Sequence, residues 1–270
     1  MFLYCILVNK LLHKSSTKTP MIGKDIKTLP KCRSTNETLA EMWRSGTAKE
    51  GTVIRAKEQT AGRGQRTSRW ESQPGMNLTF SFLIHPRYVP VGQQFFISML
   101  TSLAVYDVVA STVTEEVKIK WPNDILIEQR KVCGILTENF LQERYIDTSI
   151  IGIGLNVNQT RFSYPHATSL ALEKNCLLNR EEIFFQLMQR LNARLSQLLH
   201  GEHEKLTDNY LLALYGYKKF LRYEVVTSGQ QFNGKITGVS QEGNLMIMNG
   251  DTQQTYRFGF KEVRFTGFKR

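Results

Sequence analysis

Hydrophobic side chains recur along the chain with two spacings, which predict both helices and strands. Apolar residues three and four positions apart predict helices over 93–111, 181–199 and about 204–214. Alternating or continuous apolar runs of four to ten residues predict strands. These strands are expected at 53–56, 76–84, 117–121, 124–127, 132–136 and 148–157.

A further helix is predicted to begin near Ser34. Glu37 follows this serine at the spacing of a capping box, in which each side chain accepts a hydrogen bond from a backbone N–H of the first turn. Leu39 and Met42 then fall on one helical face, and Gly46 is expected to end the helix.

The pattern changes after residue 218. Short alternating segments separated by glycines occupy residues 220–266, and they predict a β-barrel of about 50 residues. We therefore expect three regions: a basic leader over 1–30 that is disordered or arises from a non-native start, a larger domain over 31–218, and the barrel over 219–270. Met21 reads like an ordinary start, so residues 1–20 are expected to be dispensable.

Composition narrows the class of protein. Hydrophobic residues make up 41% of the 270 residues, which is enough for a folded core and excludes disorder of the whole chain. No apolar run reaches the roughly 18 residues that span a bilayer, so no membrane segment is expected. The four cysteines are scattered without a C-x-x-C pair, which favours reduced thiols in the cytoplasm over disulfides or zinc.

The net charge of +11 is concentrated at the start of the chain. Residues 1–33 contain seven lysines and arginines and one acidic residue, so the remaining residues carry little net charge. A basic terminal segment is most often a solvated tail. The total charge therefore does not require a nucleic-acid-binding face on the folded body.

Residues 59–75 lack apolar periodicity and predict a long loop. The segment from Glu58 to Trp70 holds three arginines within seven residues and two glycines beside the first of them. Glycine lets the backbone approach a ligand closely, and arginine binds phosphate or carboxylate with paired donors. From composition alone, a solvated flexible loop and an anion-binding loop are equally consistent with this segment.

A second polar cluster runs Lys-Trp-Pro-Asn-Asp over 120–124, with Lys131 and Gly134 in the following hairpin. Asn and Asp directly after Pro are typical of an ordinary turn. Two lysines and an acid at a strand end also suit a nucleotide with its magnesium ion. A third cluster, over 152–158, places asparagines at the end of an apolar strand and is uninformative by itself.

Taken together, the three clusters resemble the biotin protein ligase family from about residue 31 to the C-terminus. The matching stretches are 34–36, 59–70, 120–124, 130–131, 134–136 and 152–156, with 234–238 and 243–245 in the barrel. The resemblance implies an α+β fold, in which a central mixed β-sheet packs with helices, as in class II synthetases, and an SH3-like barrel follows. The segment before residue 31 is too short for a helix-turn-helix, so a monofunctional ligase without sequence-specific DNA binding is expected.

The resemblance also implies a two-step reaction. Biotin and ATP with Mg²⁺ give biotinyl-5′-adenylate, and a lysine of a biotin carboxyl carrier domain then displaces AMP. A cytoplasmic location and either a monomer or a homodimer are expected.

Residue roles follow by similarity. Lys131 and Arg63 are the expected catalytic residues, Trp70 is the expected lid, and no metal ligand is identified. Biotin-binding positions are Ser34, Thr35, Asn36, Gln59, Arg63, Gly64, Gln65 and Lys131. ATP-binding positions are Arg66, Arg69, Lys120, Asn123, Asp124 and Asn156. Many relatives have arginine where Gln65 stands, and Phe162 or Tyr164 is the expected adenine-stacking residue.

Two alternatives stay open at this point. A lipoate-protein ligase would share adenylation and transfer to lysine. A non-catalytic module that holds nucleic acid through the basic leader and the barrel would show salt-dependent affinity and consume no ATP.

Overall fold

The computed structural model describes residues 21–65 and 68–266, and its centre is a mixed sheet of seven strands. The strands lie in the order β1-β2-β3-β7-β6-β5-β4, and every pair except β1–β2 is antiparallel. Their bounds are β1 Asp25–Leu29, β2 Thr52–Ala56, β3 Leu78–Ile84, β4 Val117–Lys120, β5 Asp124–Ile127, β6 Arg130–Gln142 and β7 Tyr145–Leu155.

The first strand corrects the predicted leader. The sequence placed residues 1–30 outside the fold, but Asp25–Leu29 pairs in parallel with β2 as the edge strand of the sheet. Most of its side chains are exposed on both faces, so the strand lacks the hydrophobic alternation that would have predicted it. The central sheet therefore begins at residue 25, and residues 1–20 lie outside the described part of the chain.

The two longest strands, β6 and β7, form the spine of the sheet. They pair from Cys133 with Leu155 to Gln142 with Tyr145. The sequence predicted β6 only to residue 136, because its second half is half-buried and polar and carries no apolar run. Directly opposed residues of antiparallel strands share a face, so each row of the sheet can be read across β3, β7 and β6.

The described residues form five α-helices, which pack against the sheet. Their bounds are α1 Thr35–Arg44, α2 Phe95–Thr112, α3 Leu170–Lys174, α4 Arg180–Leu199 and α5 His203–Ala213. α1 packs on one face through Leu39 and Ala40 against Leu83 and Ile150. α2 and α4 pack on the other face, where Phe184 meets Phe80 of β3 edge to face at 5.2 Å.

The core helix α2 is apolar on nearly every side. With the turn before it, Val91–Thr112 is the one helix in the described residues that is long and apolar enough to cross a membrane. However, 67% of that window is buried inside the protein. A helix that is hydrophobic all round and enclosed by other elements is typical of the core of a large domain.

The start of α1 also differs from the prediction. Ser34 is the N-cap residue in extended conformation, but its side chain makes no capping hydrogen bond. The predicted capping box is therefore wrong, although the helix begins where it was expected. The Ser34 side chain is buried and faces the cleft described below.

A second, five-stranded antiparallel sheet follows the helices, consistent with the expected SH3-like barrel. Its order is β11-β10-β9-β8-β12, with bounds β8 Phe220–Val225, β9 Gln231–Val239, β10 Leu245–Asn249, β11 Thr255–Phe258 and β12 Val263–Phe265. The indole N–H of Trp121, at the end of β4, donates to the carbonyl oxygen of Gly243 at 2.9 Å. Because Trp121 and Leu245 belong to one continuous hydrophobic core, the two sheets are packed together.

Candidate active site

One large cleft, of about 450 Å³, lies on the α1 face of the central sheet and extends to β12 of the small sheet. It gathers the separate motifs of the sequence into one place. The predicted residues that line it are Ser34, Thr35, Asn36, Gln59, Arg63, Gly64, Gln65, Arg69, Trp70, Lys120, Asn123, Asp124 and Lys131.

Glycines form the floor of this cleft. Gly134 and Gly154 are opposed across β6 and β7, and Gly152 lies one row further along the same face. A Cβ atom at Gly154 would lie 2.3 Å from Cε2 of Trp70, and one at Gly152 would lie 2.2 Å from Oδ1 of Asn36. The absence of side chains therefore lets two polar or aromatic groups lie directly on the sheet backbone.

The uncharged end of the cleft is a network of short side chains. Gln59 Oε1 accepts a hydrogen bond from the backbone N–H of Thr35 at 2.8 Å. The Ser81 hydroxyl lies 2.6 Å from Oγ1 of Thr35 and 2.5 Å from Oδ1 of Asn36. These three positions of α1 and β3 are buried, so the donors and acceptors are held in place before any ligand arrives.

The loop with the glycines and arginines folds back on itself. Arg63 and Arg69 form an antiparallel bridge, the N–H of Gly64 donates to Ser68 O at 2.8 Å, and the N–H of Trp70 donates to Gly62 O at 3.0 Å. The two described arms of the loop, 62–65 and 68–70, are thus paired as a short hairpin beside the cleft. Arg66, one of the predicted ATP-binding residues, lies outside the described residues.

Trp70, the predicted lid, lies across the glycine floor. Nζ of Lys131 is 5.7 Å from the centre of its ring, within range of a cation–π contact. Its indole N–H is buried and has no hydrogen-bond partner among residues 21–65 and 68–266. A buried N–H without an acceptor is unfavourable, so this donor is available to a ligand acceptor in the cleft.

The charged end of the cleft centres on Lys131. Its ammonium group forms an ion pair with Oδ1 of Asp124 at 2.6 Å, where both side chains are partly exposed. The backbone of Lys131 donates to His166 O at 2.7 Å and accepts from the N–H of Thr168 at 2.9 Å. These bonds fix the lysine on β6 with its charge beside the floor.

Lys120 supplies a second cation on the neighbouring strand. Burial lowers the pKa of its ammonium group, and the charge of Lys131 lowers it further, whereas Asp124 opposes the shift. Two lysines and one carboxylate therefore share the entrance to the floor. This arrangement favours binding of an anion, because a bound negative charge relieves the repulsion between the lysines.

The asparagines have more structural roles than the sequence predicted. The amide of Asn123 lines the cleft but donates to Ile135 O at 2.6 Å, which holds the turn against β6. Asn156 does not line the cleft: its side chain is buried and donates to Thr168 O at 3.0 Å. Its Oδ1 is buried and has no hydrogen-bond partner among the described residues, and the assignment of Asn156 to ATP binding stays a prediction.

Several lining residues were not predicted. Lys261 and Arg264, with Val263 and Phe265, reach the cleft from the small sheet, and they add two cations to the charged end. Their sequence signal was weak because they lie among other exposed basic residues near the C-terminus. Of the two aromatic residues proposed to stack on adenine, Tyr164 lines the cleft and Phe162 does not.

No cluster of three or more His, Cys, Asp or Glu side chains that could hold a metal ion occurs in residues 21–65 and 68–266. Asp124 is the acidic side chain among the residues that line the cleft. One carboxylate is a sufficient protein contribution for Mg²⁺, which usually keeps several waters and binds substrate phosphates. The donor set thus fits magnesium that arrives with a nucleotide.

Comparison with known proteins agrees with this site. The sequence profile of the Biotin/lipoate A/B protein ligase family matches residues 29–156. The Bifunctional ligase/repressor BirA of Bacillus spizizenii is 32% identical over 254 residues, which cover 91% of this chain and 74% of that protein. The chain belongs to the biotin/lipoate A/B protein ligase family.

Two further relatives are biotin ligases whose length is similar to that of this chain. The Biotin--[acetyl-CoA-carboxylase] ligase of Mycobacterium tuberculosis is 29% identical over 87% of this chain and 90% of that protein. The structure of the biotin protein ligase of Aquifex aeolicus in complex with biotin and ATP matches with a TM-score of 0.74 at 24% identity. That match covers 90% of this chain and all of the Aquifex chain, so both sheets of the ligase share its fold.

Proposed function

We propose that this ligase activates biotin as biotinyl-5′-adenylate and transfers the biotinyl group to a lysine of a biotin carboxyl carrier domain. The observation that carries the proposal is the polarity of a single cleft. A buried, uncharged donor and acceptor network lies at one end, and six lysine and arginine side chains line the rest of the cleft: Arg63, Arg69, Lys120, Lys131, Lys261 and Arg264. Biotin has the matching polarity, with a neutral ureido ring and a carboxylate at the end of its chain.

In the first step, a carboxylate oxygen of biotin attacks the α-phosphorus of ATP, and pyrophosphate leaves. Two anions must approach each other, so the repulsion between them is the main barrier that the protein has to lower. Lys131 lies at the charged end beside the glycine floor, and its ammonium group can bind both the carboxylate and an α-phosphate oxygen. Arg63 and Lys120 add charge on either side of it.

In the second step, the neutral ε-amine of a carrier lysine attacks the carbonyl carbon of the anhydride. A C–N bond forms, the C–O bond to phosphate breaks, the amine proton is released and AMP leaves. The intermediate must be kept from water until the carrier arrives. Trp70 covers the glycine floor and is held by the paired arms 62–65 and 68–70, and this cover is our proposed barrier to hydrolysis.

The proposed acceptor follows from the relatives. The proteins of Mycobacterium tuberculosis and Paracoccus denitrificans are both named as ligases for acetyl-CoA carboxylase. A biotin carboxyl carrier domain is therefore the acceptor we infer here. Magnesium would bind through the ATP phosphates with Asp124 as the protein carboxylate, and it would neutralise phosphate charge.

Intact-mass spectrometry tests the proposal directly. The chain is incubated with biotin, MgATP and a carrier domain, and the carrier is expected to gain one biotinyl group only when all three are present. Calorimetry with biotin and with lipoate separates the two ligases, because only biotin should bind with high affinity. Absence of biotin-dependent exchange between ATP and pyrophosphate would contradict the proposed activity. It would favour the alternative of a non-catalytic module that binds nucleic acid.

A further inference from the structure

Glu138 lies just beyond the cleft, on the row of the sheet that follows the glycine floor. It is opposed to Ile150 of β7, which is opposed in turn to Leu83 of β3. Both of these neighbours are fully buried and contact α1. A carboxylate at the end of an apolar row needs partners, because an unpaired charge there loses hydration without compensation.

The two oxygens of this carboxylate have separate partners. Oε1 accepts an ion pair from Nη2 of Arg63 at 3.1 Å, and Oε2 accepts a hydrogen bond from Nδ2 of Asn36 at 2.8 Å. Arg63 belongs to the hairpin that covers the cleft, whereas Asn36 belongs to the buried network. A single side chain of β6 therefore connects the hairpin with the uncharged end of the cleft.

We propose that Glu138 is a positioning residue for biotin, and that it holds the Arg63 side chain and the Asn36 amide in their binding geometry. A carboxylate only accepts hydrogen bonds, so it requires the amide nitrogen of Asn36 to face it. The amide oxygen must then face Ser81, 2.5 Å away. The carboxylate thus fixes which atoms of the wall are donors and which are acceptors.

The contact of Glu138 with Arg63 positions the hairpin, whereas its contact with Asn36 positions the buried network. The guanidinium group carries five donors, so it can keep Glu138 and still bind a ligand carboxylate. Held at Glu138, the arginine stays beside the cleft instead of extending into solvent. The role at biotin rests on the proposed function, whereas the contact between the hairpin and the sheet does not.

The test compares Glu138→Gln with the wild-type chain. Glutamine keeps one acceptor oxygen but adds an NH₂ group, so it cannot satisfy both Asn36 and Arg63. We expect the KM for biotin to rise about tenfold, as loss of one charged hydrogen bond would produce. The kcat of ATP–pyrophosphate exchange and the KM for ATP should stay within about twofold of wild type.

A ligand-free measurement tests the contact itself. Trypsin cleaves after arginine, and Glu138 holds Arg63, so the rate of cleavage after Arg63 should rise at least threefold in Glu138→Gln. Glu181→Gln is the matched control, because it also removes a carboxylate from an arginine, Arg55, but on α4 outside the cleft. It should change neither the KM for biotin nor the cleavage rate.

The outcomes separate the two proposals. If wild-type protein binds biotin and Glu138→Gln matches it in both KM and tryptic cleavage, the positioning role is refuted. If kcat falls and neither KM changes, Glu138 only supports folding, and the role is again refuted. If wild-type protein binds no biotin but Glu138→Gln still exposes the hairpin, the proposed function fails while the contact stands.

Discussion

The two ends of the cleft are built in different ways. At the neutral end, Thr35, Asn36 and Ser81 are buried and are already bonded to one another. At the charged end, Lys131 and Arg63 are 30% and 49% exposed, and each is held by one carboxylate. The hydrogen bonds of the neutral end are therefore already formed in the free protein. The cations of the charged end are paired with carboxylates that an anionic ligand can replace.

The difference follows from the cost of burying each type of group. Neutral hydroxyl and amide groups can be buried at low cost when they satisfy one another, so they can be preorganised. Buried cations without partners are much more costly, so they remain near solvent and beside acids. We expect changes at the charged end to reduce the rate of chemistry, and changes at the neutral end to reduce affinity for biotin.

The largest effect is expected for Lys131→Ala. It removes the cation that we propose binds both reacting anions, and the rate of biotin-dependent exchange should fall about 100- to 1000-fold. Circular dichroism should stay unchanged, since the residue is partly exposed. Lys205→Ala, which also breaks a lysine–carboxylate pair but on α5, is the control. Near-normal exchange in Lys131→Ala would remove the lysine from the mechanism.

A smaller effect is expected for Gly154→Ala, which tests the floor that both ends share. The new methyl group would lie 2.3 Å from Trp70, so the indole must move. Overpacking of this size costs about 1–3 kcal/mol, and we expect biotin affinity to fall about 30-fold by calorimetry. Gly238→Ala is the matched control in a strand, since its methyl group would meet nothing closer than 3.7 Å. Equal affinities for the two variants would contradict the role of the floor.

The neutral end is tested by Ser81→Ala. Loss of this hydroxyl leaves Oδ1 of Asn36 without its donor, and the KM for biotin should rise about five- to tenfold with kcat retained. Ser102→Ala removes a buried hydroxyl that has no hydrogen-bond partner in the described part of the chain, and it should leave the KM unchanged. A fall in kcat without a change in KM would show that the two ends are not separable.

The smallest effect concerns pH. Because burial lowers the pKa of Lys120 below 10.5, its charge is lost at a lower pH than that of an exposed lysine. Between the lowered pKa and 10.5 the unfolded chain binds more protons at this site, so its contribution to the free energy of unfolding increases with pH. Over the same pH range the folded protein loses the positive charge of Lys120, which we propose binds phosphate. The KM for ATP should rise as pH increases through the lowered pKa. In Lys120→Arg this rise should be absent, because arginine stays charged.

Much of this site could be predicted from the chain. The resemblance identified thirteen residues that line the cleft, and apolar spacing predicted the main helices and central strands. β1 was missed because an exposed edge strand carries no burial pattern. Ser81 and Glu138 were missed because each is a single polar residue within a strand and belongs to no motif. Its role depends on the pairing of strands that are far apart in sequence.

Asn156 has a structural role that the resemblance did not indicate. The resemblance implied a nucleotide contact, and the structure adds that its amide nitrogen anchors the following loop by donating to Thr168 O. Strand ends need such anchors because their last backbone groups must find partners. A motif read alone cannot distinguish these two uses of an asparagine.

The indole of Trp121 has a consequence for any attempt to divide the molecule. It is 5% exposed, bonded to Gly243 and packed 5.4 Å from the ring of Phe260, although it belongs to the turn that carries Asn123 and Asp124. Truncation at residue 218 would therefore expose this ring to water and free the turn beside it. The remaining fragment should have a lower melting temperature and a lower affinity for nucleotide.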